Sequence, residues 1–209
     1  MVFDFDGTIA DTEWPVYEVA RGAFRAHGLD LPLEDWVGSI GLADNKTLPE
    51  LIEDAIGGPP IRVVAHAVRI RSEWHHRMAV LPGVVELIAA ANRAGVPLAI
   101  ASSSPSAWVD PHLVRLGLDE HFVAVRTRDH VDRGKPAPDL FLAAVATLDV
   151  DPARAVAIED SRHGCAAAKA AGLTCVVVPN RITVLDRPAD ADLTLDSLSD
   201  FPYARFGLS

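Results

Sequence analysis

The chain has 209 residues, 49% of them apolar, and a formal net charge of −10 at pH 7. This apolar content excludes a disordered chain and fits one globular α/β domain, with or without a modest insertion. The acidic balance argues against a broad nucleic-acid-binding surface. Two cysteines do not indicate a disulfide framework, and we find neither a signal peptide nor a membrane-spanning run, so a cytoplasmic enzyme is expected.

The first residues predict a short buried strand, Val2-Phe3, that ends in Asp4-Phe5-Asp6-Gly7. Side chains two positions apart on a strand point the same way, so Asp4 and Asp6 are expected to share a site. Two neighbouring carboxylates repel each other unless a cation or a shared proton relieves the repulsion. The pair therefore predicts a metal site, an acid/base pair, or both.

Residues 13–79 differ in pattern and predict a small all-helical insertion. Apolar residues recur at helical spacing from Val16 onward, and no strand-like run interrupts them. The tryptophans of this segment are expected to pack mainly in its interior. They are Trp14, Trp36 and Trp74, and the predicted helices cover 13–27, 45–56 and 60–77.

From about residue 80 onward, apolar strands alternate with helices, which predicts a Rossmann-like parallel sheet covered by helices on both faces. We therefore expect an α/β core domain of residues 1–12 and 80–209, with residues 13–79 as a separate helical cap. The predicted helices cover 84–94, 106–116, 138–148 and 163–171. The predicted strands after the first cover 96–101, 122–125, 155–158, 174–178 and 193–195.

Polar residues follow three of these strands, and ligands of open parallel sheets bind beyond the carboxyl ends of the strands. Carboxylate oxygens suit Mg²⁺, whereas hydroxyl groups and a lysine suit a phosphate. Each piece alone has an ordinary explanation as a turn, a helix cap or a surface charge. Their recurrence at successive strand ends favours a shared site. The residues are Asp4, Asp6, Ser102, Ser103, Glu159 and Asp160, with Lys135 in the loop 133–139.

Four segments, in this order, resemble the motifs of the haloacid dehalogenase (HAD) superfamily. The likeness is to its phosphatase and β-phosphoglucomutase-like branch, which carries a small helical cap. The order and spacing of the four segments span the whole chain. They are residues 4–12, 101–104, 134–139 and 158–161.

The resemblance implies a mechanism with unequal roles for the two N-terminal carboxylates. Asp4 would be the nucleophile that forms an aspartyl-phosphate. Asp6 would protonate the leaving oxygen and then take a proton from the attacking water. Retention of Asp6 favours phosphoryl transfer, because the dehalogenases and phosphonatases of the superfamily lack this second aspartate.

The resemblance also implies a Mg²⁺ site and a phosphate site. Asp4, the backbone carbonyl of Asp6 and Asp160 would bind the metal, with Glu159 as a supporting or alternate ligand. The phosphoryl oxygens would be held by Ser102, Ser103 and Lys135.

Three functions are compatible with the sequence, and hydrolysis of a small phosphate monoester is the favoured one. The first alternative is a phosphosugar mutase, but Val16 and Asp44 occupy positions where β-phosphoglucomutases carry a cap histidine and a cap arginine. An acid at residue 44 would repel a second phosphate. The second alternative is a catalytically silent binding module. The expected partner is a small phosphorylated metabolite, and neither nucleic acid nor a membrane is expected as a partner. The chain is expected to be a monomer or a weak homodimer.

Overall fold

A computed structural model describes residues 1–37, 40, 50, 53–54 and 78–208 of the chain. The predicted helices 45–56 and 60–77 fall largely outside these residues, as do Asp44 and Trp74. The division into a core and a cap therefore stays a prediction.

The described residues form a single six-stranded sheet in which every neighbouring pair of strands is parallel. Its strand order is β3-β2-β1-β4-β5-β6, so the first strand lies at the centre and the later strands add to either side. The predicted parallel α/β fold is confirmed. The strands are β1 (Val2–Phe3), β2 (Ala99–Ala101), β3 (Ala124–Arg126), β4 (Val156–Glu159), β5 (Thr174–Val177) and β6 (Leu193–Thr194).

Successive strand residues point to opposite faces of a sheet, and apolar residues lie on both faces of this one. Helices therefore pack against both faces. Phe3 packs with helices α3 and α4 on one face, and its neighbour Val2 packs with helices α5 and α6 on the other. The helices described are α1 (Glu13–Ala26), α2 (Leu33–Val37), α3 (Val84–Arg93), α4 (Ser106–Leu116), α5 (Asp139–Thr147) and α6 (Arg162–Ala170).

The elements predicted after residue 80 are present, with ends within three residues of the expected ones. The largest difference is at β2, which begins at Ala99 rather than at residue 96. The backbone N–H of Val96 donates to Ala91 at the end of α3, so this residue belongs to the turn that leads into the strand. Within the described ranges, no helix has the length and apolar character that crossing a bilayer requires.

Helices α1 and α2 pack against the segment that follows β5. Tyr17 of α1, Trp36 of α2 and Ile182 form a small buried cluster. Beside it, the guanidinium of Arg181 lies 4.3 Å from the centre of the half-buried Trp14 ring. The described start of the predicted cap is thus held to the loop between β5 and β6.

Candidate active site

The carboxyl ends of β1, β2 and β4 meet at one edge of the sheet because these three strands are neighbours. Asp4 and Asp6 follow β1, Ser102 follows β2, and Asp160 follows β4. Lys135, from the loop before α5, reaches the same place. The structure therefore brings together residues that are more than a hundred positions apart in the sequence.

A buried ion-pair group forms the centre of this edge. The Lys135 ammonium donates to Asp4 Oδ1 at 2.5 Å and to Glu159 Oε1 at 2.6 Å, and all three side chains are almost completely buried. Its nitrogen also lies 5.0 Å from the centre of the Phe141 ring, a favourable position for a cation. Burial opposes the charge, but the two ion pairs outweigh it and raise the pKa of Lys135 above 10.5.

Glu159 pairs with Lys135 through one oxygen and is held by hydrogen bonds through the other. Its second oxygen, Oε2, accepts hydrogen bonds from the backbone N–H groups of Asp160 and Ser161 and from the Ser161 hydroxyl, at 3.0–3.2 Å. Both oxygens are therefore engaged within the protein. This arrangement suits a residue that positions Lys135 better than one that offers a free oxygen to a metal.

Asp160 is held from two sides. Its Oδ2 accepts from Asn180 Nδ2 at 2.7 Å and from the Thr183 hydroxyl at 3.3 Å, while Oδ1 lies 3.4 Å from the Thr8 hydroxyl. We did not predict Asn180 and Thr183 from the sequence. Because Asn180 follows the end of β5, the same strand-end reasoning applied to that strand would have identified it.

One oxygen from each of Asp4, Glu159 and Asp160 lies within 4.8 Å of the other two. Three buried carboxyl groups face one ammonium here, which leaves an excess of negative charge. Carboxylate oxygens at this spacing fit a hard divalent cation such as Mg²⁺. Since both Glu159 oxygens are engaged, Asp4 and Asp160 are the side chains best placed to bind it.

Asp6 differs from Asp4 because it is half-buried and is not paired with Lys135. Its Oδ2 accepts from the Ser104 hydroxyl at 2.6 Å and lies 3.5 Å from the Ser102 hydroxyl, and Oδ1 accepts from Trp108 Nε1 at 2.8 Å. Trp108 was not predicted to contribute to the site. No sequence pattern links it to Asp6, because Trp108 lies within α4 and does not follow a strand.

The predicted phosphate-binding serines lie in the loop after β2. Ser102 is fully buried, and its backbone N–H donates to the carbonyl of Arg126 at 2.9 Å. Its hydroxyl accepts from the backbone N–H of Ser104 at 3.0 Å and lies 3.5 Å from Asp6 Oδ2. Ser103 is half-buried in the same loop.

Burial, reinforced by neighbouring carboxylates, raises the pKa values of Asp4, Asp160 and Glu13. Burial raises the pKa of Asp4 above its ordinary value of 3.8; the Lys135 ammonium opposes this rise, and neighbouring carboxylates add to it. Burial, reinforced by Glu159 and Asp4, raises the pKa of Asp160 well above 3.8. Asp4 and Asp160 therefore keep their protons to higher pH in the folded protein than in the unfolded chain.

In metal-free buffer, we expect the stability of the protein to fall as the pH rises above about 4. The folded protein keeps protons on Asp4 and Asp160 at pH values where the unfolded chain has lost them. The stabilisation that these two protonated groups provide is therefore complete below their pKa in the unfolded chain. It is lost as the pH rises through their higher pKa in the folded protein. Thermal unfolding in EDTA over a series of pH values measures this slope.

Added Mg²⁺ is expected to reduce or reverse the slope, because a cation replaces the protons on these carboxylates. The Asp160→Asn variant should show a flatter profile in EDTA, since one of the titrating groups is removed. Asp119→Asn, at an exposed aspartate, should keep the slope of the unchanged protein. The same slope in all three proteins would contradict the assignment.

Gly164 in α6 allows the close approach of the helix to Glu159. A Cβ atom at this position would lie 1.9 Å from the Glu159 carboxylate. Gly164→Ala is therefore expected to lower the free energy of unfolding by about 1–3 kcal/mol or more and to displace Glu159 from Lys135. Urea unfolding and turnover measure the two effects.

Gly22 in α1 is the matched control, because a Cβ there would meet nothing within 4 Å. Gly22→Ala is expected to stabilise the protein by about 0.5–1 kcal/mol, as alanine is the better helix former. If both variants changed stability in the same direction and by the same amount, the proposed clash with Glu159 would be wrong.

A parallel sheet whose carboxyl edge combines buried carboxylates, one buried lysine and serine hydroxyls is the arrangement expected of a HAD-like hydrolase. The family model for haloacid dehalogenase-like hydrolases matches residues 1–178. The chain belongs to this family.

Similar proteins support the same assignment. A Bacillus subtilis protein named "Putative phosphatase YhcW" is 39% identical over 211 residues, which cover 98% of this chain and 94% of that protein. The structure of a CbbY mutant from Rhodobacter sphaeroides, in complex with xylulose-1,5-bisphosphate, has a TM-score of 0.77 and 32% identity and covers 96% and 95% of the two chains.

A HAD family hydrolase from Deinococcus radiodurans with bound phosphate and sodium has a TM-score of 0.78 and 28% identity, and the match covers 99% and 95% of the two chains. Relatives of this family carry phosphatase names. The chain is thus a HAD-like phosphatase.

Proposed function

We propose that this chain is a Mg²⁺-dependent phosphatase that hydrolyses small phosphate monoesters through an aspartyl-phosphate on Asp4. The observation that carries the proposal is the buried group at the edge of the sheet, in which Asp4 and Glu159 pair with the Lys135 ammonium and Asp160 lies close to both carboxylates. A nucleophilic carboxylate needs a nearby cation to remain ionised when buried. Lys135 supplies one such charge, and a bound Mg²⁺ would supply the other.

In the first chemical step, a carboxylate oxygen of Asp4 attacks phosphorus, and the bond between phosphorus and the ester oxygen breaks. The leaving oxygen takes a proton from Asp6. In the second step, Asp6 takes a proton from water while the water oxygen attacks phosphorus, which releases inorganic phosphate and restores Asp4. The position of Asp6 supports its role as acid and base, distinct from the nucleophile Asp4, because Asp6 is half-buried and lies outside the ion-pair group.

Phosphate binding falls to Lys135 and the loop after β2. The lysine offers positive charge beside Asp4, and the Ser102 hydroxyl lies next to Asp6. Donors and cations at such positions stabilise the charge of a transferring phosphoryl group. Ser103 is assigned to the same role by the family resemblance.

Asp4, Asp160 and the backbone carbonyl of Asp6 are the groups that would hold Mg²⁺. When bound, the ion would reduce the repulsion between the carboxylate nucleophile and the anionic phosphoryl group. Asn180 and Thr183 keep Asp160 in place for this purpose, through hydrogen bonds at 2.7 and 3.3 Å.

Phosphate release from a panel of phosphorylated metabolites, with Mg²⁺ and with EDTA, tests the proposal. Sugar monophosphates and bisphosphates belong in the panel because a related CbbY structure holds xylulose-1,5-bisphosphate. We expect Mg²⁺-dependent release from at least one of them. Absence of release from every compound would favour a silent binding module.

The same assay separates hydrolysis from the mutase alternative. With β-glucose 1-phosphate and a bisphosphate primer, a phosphatase yields free phosphate and a mutase yields the isomerised sugar phosphate. The phosphatase names of the relatives favour hydrolysis. An isomerised product without net phosphate release would overturn the proposal.

A further inference from the structure

The Asp6 carboxylate is held by donors of two different kinds. The indole Nε1 of Trp108 donates to Oδ1 at 2.8 Å. On the other side, the Ser104 hydroxyl donates to Oδ2 at 2.6 Å, with the Ser102 hydroxyl at 3.5 Å from the same oxygen. The two oxygens of one carboxylate therefore have chemically distinct surroundings.

This difference matters because Asp6 has to carry and deliver a proton in the proposed reaction. An indole N–H is a donor only, so the Oδ1 that faces Trp108 has to remain an acceptor. A serine hydroxyl can donate or accept, so Ser104 can turn when Oδ2 carries a proton. In this arrangement a proton on Oδ2 is compatible with its neighbours, whereas a proton on Oδ1 would face another donor.

The Trp108 ring is itself fixed by its helix, α4. The ring of His112, one turn further along, lies 4.3 Å from it between centres, with an angle of 40° between the planes. His112 Nδ1 lies 2.6 Å from the Trp108 carbonyl, which can only accept, so Nδ1 carries the hydrogen. His112 is buried, and the centre of its ring also lies 6.4 Å from the centre of the Phe5 ring. Phe5 is the residue between Asp4 and Asp6 in the sequence. The half-buried Trp108 ring is therefore held by contacts on its own helix as well as by Asp6.

We propose that Trp108 is a positioning residue of the phosphatase reaction, which holds the Asp6 carboxyl through Oδ1 so that proton transfer runs through Oδ2. The inference rests on the function proposed above and adds a residue to the same site. In the step concerned, the bond between phosphorus and the ester oxygen breaks, the bond from Asp4 to phosphorus forms, and the proton on Asp6 Oδ2 moves to the departing oxygen.

The test uses Trp108→Phe, which keeps a six-membered aromatic ring and removes the indole N–H donor. Two probes of similar shape are compared, p-nitrophenyl phosphate and phenyl phosphate. The first has a good leaving group that needs little help from an acid, and the second has a poorer one. Because kcat/KM reports the steps up to formation of the aspartyl-phosphate, it isolates the role of Asp6 as an acid.

For Trp108→Phe we expect kcat/KM on phenyl phosphate to fall by about 10- to 100-fold, the loss typical of a misplaced catalytic group. On p-nitrophenyl phosphate it should change by less than about twofold. In an Asp6→Ala background, the same substitution should cause no further loss on either probe. Equal losses on both probes, no loss on either, or a loss that persists without Asp6 would each overturn the proposal.

A spectroscopic measurement keeps the proposal testable even if Trp108→Phe folds poorly. The indole N–H resonance of Trp108 in the ¹H–¹⁵N spectrum is expected to move upfield in Asp6→Ala, because the charged acceptor is lost. The other indole resonances should stay in place and serve as controls. An unchanged Trp108 resonance would show that the contact with Asp6 is not made in solution.

Failure of this inference and failure of the proposed function give different results. If Asp4→Asn kept full turnover, the proposed function would be wrong, whereas the indole resonance would still report the contact. If the enzyme hydrolysed both probes through Asp4 but Trp108→Phe affected them equally, only the role of Trp108 would be wrong.

Discussion

Asp4→Asn is expected to lower kcat by about 10⁴-fold or more, the loss seen when a nucleophile is removed from an active site. An amide cannot replace the carboxylate that attacks phosphorus. The substitution should leave the protein folded, because Asp4 is one of three buried carboxyl groups that face a single ammonium. Phosphate release and thermal unfolding in EDTA measure the two parts, and the unfolding temperature should equal or exceed that of the unchanged protein.

Asp119→Asn makes the same chemical change at an exposed position of the chain and is the matched control. Its turnover and stability should stay close to those of the unchanged protein. Turnover retained by Asp4→Asn would contradict the assignment of Asp4 as the nucleophile. A marked drop in its unfolding temperature would instead show that the ion pair with Lys135 contributes more than the repulsion among the carboxylates costs.

Lys135→Met is expected to lower the free energy of unfolding by about 3–5 kcal/mol, since it leaves buried carboxylates without their cation. The two ion pairs of Lys135 join side chains that are at most 9% exposed. Turnover should fall by about 10²-fold or more, because the positive charge beside the nucleophile is lost. Urea unfolding and phosphate release measure these effects.

Lys169 provides a matched control, because it pairs with Asp192 at 2.6 Å while both side chains remain 33% exposed. Solvent screens that pair, so Lys169→Met should cost about 1 kcal/mol or less and leave turnover unchanged. Mg²⁺ should restore part of the stability lost in Lys135→Met, since it supplies a cation to the same carboxylates. Equal destabilisation by the two substitutions would contradict the importance of burial at Lys135.

The convergence of the predicted site residues could be anticipated from the sequence for a simple geometric reason. Apolar strands that alternate with helices form a parallel sheet, and the carboxyl ends of such strands lie at one edge. Residues that directly follow a predicted strand, such as Asp4, Ser102 and Asp160, are therefore expected near one another. Their roles in catalysis remain predictions that the variants above test.

The contacts that hold these residues in place could not be anticipated in the same way. Trp108 lies in the first turn of α4 rather than at a strand end, and its contact with Asp6 depends on how this helix packs against the sheet. Asn180 follows the end of β5, but its hydrogen bond to Asp160 at 2.7 Å depends on the conformation of the loop after that strand. Such contacts depend on side-chain packing between elements, which has no periodic signal in the sequence.

The opening segment of the chain illustrates both kinds of information. By itself, the sequence determined that a buried strand ends in Asp4 and Asp6, because alternation along a strand and the charges of the side chains are local properties. Only the tertiary structure decided that the two carboxylates have different surroundings. Asp4 is buried against Lys135, whereas Asp6 is half-buried between Ser104 and Trp108. Partners that come from distant parts of the chain set these surroundings, so they follow from the packing of the whole fold.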